Sequence, residues 1–440
     1  MTSRERVLAS LNHQEPDRVP LALGQATGDG ITLIAYRRLL RHLGMDEGRA
    51  QLKDTRAQTA RVDEEVLRRF RVDMRGIGLG APDGRKEKWL DDHTVQDEWG
   101  IVRTRPSGSY YFDLCGSPFA EDNSLGAIER HPWPDPNDPG RYRGLKEKAR
   151  HLRRETDYAV VLDLNCAFFL RCCELRGWEN FYTDLVAEVP FAEALMDRYL
   201  DLRLAMAERA LQEIGDDVDI VMVTSDDLGM TDRTLISPAL YRALIKPRQA
   251  RTFDFFKART PAKRYYHTDG AIYSLLPDLV EIGAEVLNPI EIRAAGMGDT
   301  AKLKREFGDR LAFWGAIDTH HVLRAGTPRD VREEVRRRIQ DLGPGGGYVV
   351  SPVHNIQPDV SPENVVAMYD AAYEFGRYPL AVRISRCGPS SPEIGPTFHE
   401  GTARNPRRGR RPLVIPSYSP DQSSRSCTSP DRRAARSRRA

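Results

Sequence analysis

Short apolar runs alternate with longer amphipathic stretches along most of this chain. The runs at residues 19–23, 159–164, 220–224, 264–267, 286–288, 311–315 and 348–351 are rich in β-branched and aromatic side chains and predict strands. Between them, apolar positions at 188–214, 237–260, 271–282, 327–343 and 361–376 recur at the spacing of a helix face. Ser361-Pro-Glu-Asn is a helix start, with a serine cap and proline in the first helical position. Strand then helix, repeated with short connections, is the signature of a parallel sheet. Residues 84–118 break the rhythm: 88–92, 95–104 and 109–114 read as antiparallel strands of a hairpin insertion, with Trp99, Tyr110 and Tyr111 on its core face.

Seven visible strands favour a closed (β/α)8 TIM barrel with extra N-terminal helices, spanning residues 1–379, over an open Rossmann sheet. No G-x-G-x-x-G follows the first strand, and Gly343-Pro-Gly-Gly-Gly347 stands where a helix should stop.

Composition adds limits. Hydrophobic residues make up 40% of the 440 and charged residues 30%, as in a water-soluble globular protein. No run approaches the ~20 apolar residues of a membrane span. The opening twenty residues carry charge throughout and lack a signal peptide's apolar centre, so a cytoplasmic address is expected, with no membrane partner. The net charge of +2 conceals an asymmetry: residues 381–440 hold thirteen arginines, no lysine and four acids, leaving −7 on residues 1–380. An acidic body argues against nucleic acid as partner. The Pro/Ser/Arg-rich tail, 380–440, lacks any sustained apolar period and is expected to be disordered. Six irregularly spaced cysteines do not form a disulfide framework and are expected reduced.

The sharpest local feature is Tyr265-Tyr-His-Thr-Asp-Gly270. On a strand, His267 and Asp269 point the same way at its C-terminal end, where barrel enzymes keep their sites. His354, just past the last strand, belongs to the same layer, and the three together make a two-histidine, one-carboxylate set with open coordination positions. The competing reading is three ordinary polar loop ends. Asp226 and Asp227 follow one apolar strand and Glu291 follows another. Asp226 reads as a cofactor contact or a helix cap, Asp227 as a catalytic or substrate-contacting group, and Glu291 as a general base or fourth ligand. Asp318 reads as a cap, and His93, His320 and His321 as solvated.

The opening Arg4–Pro20, Ser225-Asp-Asp-Leu-Gly229, Tyr266-His-Thr-Asp-Gly270, Phe313-Trp-Gly-Ala-Ile-Asp318 and the 346–364 stretch resemble the uroporphyrinogen decarboxylase superfamily, in order over residues 1–379. That resemblance implies a (β/α)8 barrel. True decarboxylases of the family carry an Arg-Gln-Ala-Gly-Arg-Tyr stretch whose arginines hold a porphyrinogen's carboxylates. Here the equivalent is Gly24-Gln-Ala-Thr-Gly28: Gln25 survives as a cofactor-contact candidate, and glycines replace both arginines. The corrinoid-dependent methyltransferases of the superfamily bind zinc through His-x-Cys and a later cysteine. Here His267 matches the histidine, while Asp269 and His354 stand at the cysteine positions.

The resemblance therefore implies a metal-dependent methyltransferase or demethylase acting on a small molecule, with a divalent cation, zinc first, and cobalamin on a corrinoid partner protein. A porphyrin-biosynthetic carboxy-lyase and a non-catalytic corrinoid- or tetrapyrrole-binding barrel are the alternatives. A homodimer is compatible with the sequence.

Overall fold

The computed structural model describes residues 1–380; the arginine-rich tail, with its expected disorder, lies outside the described residues. Seven strands form one all-parallel sheet: β1 (Met74–Gly78), β2 (Ala159–Asp163), β3 (Ile220–Thr224), β4 (Lys263–His267), β5 (Val286–Asn288), β6 (Ala312–Ile317) and β7 (Tyr348–Pro352). Sequence neighbours are sheet neighbours throughout, from β1 at one edge to β7 at the other. Val160, Val221, Leu287, Trp314 and Val349 are all 0% exposed, as expected of strands covered on both faces.

The segment 19–23, expected as a strand, supplies the eighth position. On one side the Ala22 amide donates to the Val350 carbonyl at 3.0 Å and the Val350 amide to the Pro20 carbonyl at 2.9 Å. On the other, the Asp73 amide donates to the Leu21 carbonyl at 3.0 Å. The sheet thus curls into a TIM-barrel-like ring with helices outside. β1 was not among the expected strands, because Met74-Arg-Gly-Ile-Gly78 has no continuous apolar run. Arg75 is buried there because its guanidinium pairs with Glu64 at 2.7 Å, donates to the Val72 and Met74 carbonyls, and lies over the Tyr158 ring at 3.5 Å.

A buried ion cluster holds this junction. The Asp73 carboxylate, 0% exposed, accepts from Arg6 Nη1 at 2.7 Å, from both terminal nitrogens of Arg18 at 2.8 Å, and from the Leu21 amide at 2.9 Å. All its lone pairs are occupied, so the charge is compensated without water.

The helices follow the expected pattern. Val189–Ile214 and Pro328–Leu342 flank the ring, and Ser361 caps Pro362–Phe375 by accepting from the Asn364 amide at 3.3 Å. The expected helix over 237–260 is interrupted by a π-helical turn at Tyr241–Ile245 before Lys246–Lys257 begins. Pro247 lacks the amide that would continue the ladder there. Among the described residues no helix is long and apolar enough to cross a membrane. Cys166, Cys172 and Cys173 are buried free thiols, and burial pushes Cys166 up to about 11.

The insertion is a four-stranded antiparallel sheet: Lys88–Trp89, Thr94–Gln96, Val102–Thr104 and Asp113–Gly116. What reads as one strand over 95–104 is two, because the Asp97 carboxylate accepts from the Trp99 and Ile101 amides at 2.9 and 3.0 Å and folds the chain into a turn. Trp99 is core as expected, packed on Tyr199 at 4.5 Å. Tyr110 and Tyr111 are not: Tyr110 is 53% exposed, and the half-buried Tyr111 donates its hydroxyl to Gln357 in the loop after β7.

Replacing Asp73 with alanine leaves the Arg18 guanidinium without a carboxylate beside the seam, while Arg6 keeps only its pairing with Asp17. Asp73→Ala is expected to destabilise the fold by about 3–5 kcal/mol, read as a lower urea midpoint. A midpoint unchanged from the parent would show that the seam does not need this charge.

Candidate metal centre

Side chains alternate along β4. Tyr266 points outward, stacked on Phe253 at 5.7 Å, while Tyr265 points inward, edge-on to Trp314 at 5.2 Å. His267, two residues on, therefore returns to the interior at the C-terminal end of the strand. A register shift against β3 between Tyr265 and Tyr266 precedes it, the kind of irregularity that re-aims a side chain. The imidazole is almost wholly buried at 6% exposure, with Nδ1 2.6 Å from Oδ1 of Asn288. Asn288 ends β5 directly opposite His267, and its Nδ2 donates to the Trp314 carbonyl at 3.1 Å.

The loops after β3 and β4 are stitched to one another. The Asp269 amide donates to Asp227 Oδ1 at 3.0 Å, the Leu228 amide to Thr268 Oγ1 at 3.0 Å, and the Gly229 amide to the Asp269 carbonyl at 3.1 Å. These bonds bring Asp227 beside His267. Nε2 of His267 is 3.7 Å from Asp227 Oδ1 and 3.7 Å from Asp269 Oδ2, and one donor atom from each of the three residues lies within 4.8 Å of the others. Those separations are too long for hydrogen bonds. They are close to the roughly 3.3–3.6 Å between ligands that bonds of ~2.0–2.2 Å imply at a tetrahedral cation. Oδ1 of Asp269 is buried with no hydrogen-bond partner, a state for a carboxylate oxygen that a cation would relieve. The residues present fit a divalent cation.

His354 reaches the same place from the loop after β7. Its Nε2 is 4.0 Å from Asp269 Oδ2, and its side chain is 42% exposed. His354 thus stands beside Asp269, while the three donors that lie within 4.8 Å of one another are Asp227, His267 and Asp269.

Charge is concentrated here. Burial works against a charged His267, yet Asp269 and Asp227 outweigh it and push its pKa up to about 9. Burial and the neighbouring Asp269 raise Asp227, whereas His267 overcomes burial to hold Asp269 below the usual carboxylate range. Glu291, after β5, is raised by burial and by Asp269. His320, exposed after β6, lies close enough to bear on both Asp269 and Glu291.

Two cofactor-contact candidates have their polar atoms committed elsewhere. Gln25 donates to the Leu23 carbonyl at 2.9 Å and accepts from the Gly76 amide at 2.8 Å, so its amide pins the first loop to β1. The fully buried Asp226 accepts from the Phe168 and Leu170 amides at 3.2 and 3.1 Å and from Thr224 Oγ1 at 3.3 Å, the capping role weighed against it. Asp318 also caps, accepting from the His320 and His321 amides.

Sequence reasoning passed over Gly28. Its φ is +90°, and a Cβ there would sit 2.5 Å from Cε1 and 2.6 Å from Nδ1 of His267, and 3.0 Å from Asn288 Oδ1. The backbone of the first loop therefore lies directly on the histidine–asparagine pair. Gly24, the other glycine at an arginine position, is also left-handed, with φ +67°. The signal was present in the sequence, as a glycine replacing a large cation, but its cause is visible only with His267 in place.

The family model for uroporphyrinogen decarboxylase (URO-D) matches residues 119–375. The chain is 27% identical to a uroporphyrinogen decarboxylase of Alkalilimnicola ehrlichii over 84% of its own length and 93% of that protein. It is 40% identical to that of Pseudoalteromonas translucida, but over only 16% of this chain and 20% of the relative. Among solved structures, a methyltransferase from Methanosarcina mazei superposes with a TM-score of 0.56 at 18% identity, covering 85% of this chain and 99% of that one, which is a likeness of fold. With more than half its length matched by the family model, a barrel of the kind described and relatives aligned nearly end to end, the chain belongs to the uroporphyrinogen decarboxylase family.

Proposed function

We propose that this protein is a divalent-cation-dependent methyltransferase or demethylase, moving a methyl group to or from a corrinoid held by a partner protein. One observation carries the reading: the donor atoms of Asp227, His267 and Asp269 meet within 4.8 Å at the barrel mouth, with Asp269 Oδ1 buried and unpartnered. Two carboxylates and a buried imidazole are a costly arrangement without a cation and a favourable one with it.

Asp227, His267 and Asp269 would hold the cation, which we assign first as zinc. When bound it would supply Lewis acidity, lowering the pKa of the group that gives or takes the methyl. His354, 4.0 Å from Asp269 and partly open to solvent, is placed to complete the donor set or to meet the substrate. Glu291, raised by burial and by Asp269, is suited to exchanging a proton with the reacting group. Donors that are oxygen and nitrogen without sulfur suit a harder partner, so we assign oxygen- or nitrogen-bound methyl groups as the substrate class.

The names of the relatives favour a second reading, carboxy-lyase action on uroporphyrinogen. Against it stands the first loop: an arginine at position 28 would place its Cβ 2.5 Å from the His267 ring. Without cations there, the substrate's carboxylates would lack the charge-assisted partners such a site needs.

His267→Ala is expected to reduce tightly bound zinc to background by elemental analysis and to abolish transfer of the methyl group from methylcobalamin to an added oxygen- or nitrogen-nucleophile acceptor, monitored by the cobalamin's visible spectrum. Equal metal content in both proteins, or conversion of uroporphyrinogen to coproporphyrinogen by the parent, would displace the proposal. The pH dependence has a definite sign. With a folded pKa of about 9 against ~6.5 unfolded, the protonated imidazole stabilises the metal-free fold fully below ~6.5, and this stabilisation disappears as pH rises through about 9. The metal-free melting temperature should fall across that window in the parent and stay flatter in His267→Ala. Zinc must displace the same proton, so apparent affinity should climb up to about tenfold per pH unit below 9, checked by chelator competition. Gly28→Ala forces a left-handed alanine against the ring and should destabilise the fold by about 1–3 kcal/mol while weakening zinc binding, seen in paired melts and titrations.

A further inference from the structure

We propose that Asn288 is a positioning residue that fixes which nitrogen of His267 is offered to the barrel mouth. The inference deepens the proposed cation site and, in its consequence for metal affinity, rests on that reading.

Asn288 is 0% exposed, and its side chain has one neighbour of known polarity on each side. The Trp314 main-chain carbonyl, 3.1 Å away, can only accept, so the amide nitrogen must face it. The amide oxygen then necessarily faces His267, 2.6 Å from Nδ1. An amide oxygen can only accept, so the hydrogen of a neutral imidazole sits on Nδ1. Nε2, 3.7 Å from the carboxylates of both Asp227 and Asp269, is left with its lone pair directed at the space between them. The orientation passes from strand to strand: a main-chain carbonyl of β6 orients an amide at the end of β5, which orients an imidazole at the end of β4. Gly28 closes the arrangement, since its backbone lies where any movement of Cε1 or of Asn288 Oδ1 toward the first loop would collide. Without the Asn288 oxygen, nothing on the Nδ1 side holds the hydrogen there, and a hydrogen on Nε2 would block the lone pair a cation requires.

The test uses the full chain labelled with 15N-histidine. Long-range proton–nitrogen correlation of the metal-free protein, recorded above the titration of His267, reports the tautomer directly. Zinc affinity is measured in parallel by chelator competition. The parent is expected to carry its hydrogen on Nδ1. Asn288→Leu, which keeps the side chain's shape and removes the acceptor, and Asn288→Ala should shift the population toward hydrogen on Nε2 and weaken zinc about 10–100-fold. Asn288→Asp, which restores an acceptor, should return the Nδ1 tautomer and bring affinity to within a few-fold of the parent. A parent with its hydrogen on Nε2, or leucine and alanine variants matching the parent in tautomer, would overturn the assignment; so would an unchanged zinc affinity where the parent binds zinc. If the parent and His267→Ala prove equally unable to bind zinc, the cation reading fails while the tautomer spectrum still decides the role of Asn288.

Discussion

Two carboxylates gathered around one buried imidazole set the terms for everything at this barrel's mouth. Asp227 and Asp269 come from different loops, yet the amide of one bonds the carboxylate of the other, so neither loop can relax without disturbing its neighbour. Like charges at this range repel unless something positive lies between them. In the protein alone, the proton on His267 supplies that positive charge, which is why its pKa is raised despite burial. The unpartnered oxygen of Asp269 shows that the proton satisfies only part of the demand.

The opposite end of the barrel is organised on contrary lines. Asp73 stands just before β1 begins, and four donors surround its carboxylate with nothing left over. There, buried charge is fully matched and closes the ring; at the mouth it is left short by design of the loops. The two ends separate what closes the ring from what lines the candidate site, as barrels generally do.

Much of this was readable in the residue pattern, and the failures have physical causes. Ile220–Thr224 and Val286–Asn288 coincide with their expected strands because each is an apolar run ended by polar residues. The strand period led to pairing His267 with Asp269, but the strand ends at His267 and Asp269 reaches the imidazole from the loop beyond it. β1 escaped notice because salt-bridge and ring contacts, not apolarity, allow Arg75 to be buried. Asp226 and Asp227 are adjacent and chemically identical in sequence, but one turns back to cap a helix while the other faces the mouth, and only the course of the loop separates them. Asn288 is invisible as a partner of His267 until the β4–β5 register aligns two positions 21 residues apart. Gln25 matched the family stretch, and its amide joins the first loop to β1, a backbone role the sequence alone does not reveal.

The contact between Gly28 and the His267 ring couples the first loop to the end of β4. A bulky cation at position 28 and an imidazole at position 267 compete for one volume, so neither can be acquired while the other remains in its present pose. In this fold the first loop and the His267 imidazole are therefore a single steric unit, and neither can be enlarged without moving the other.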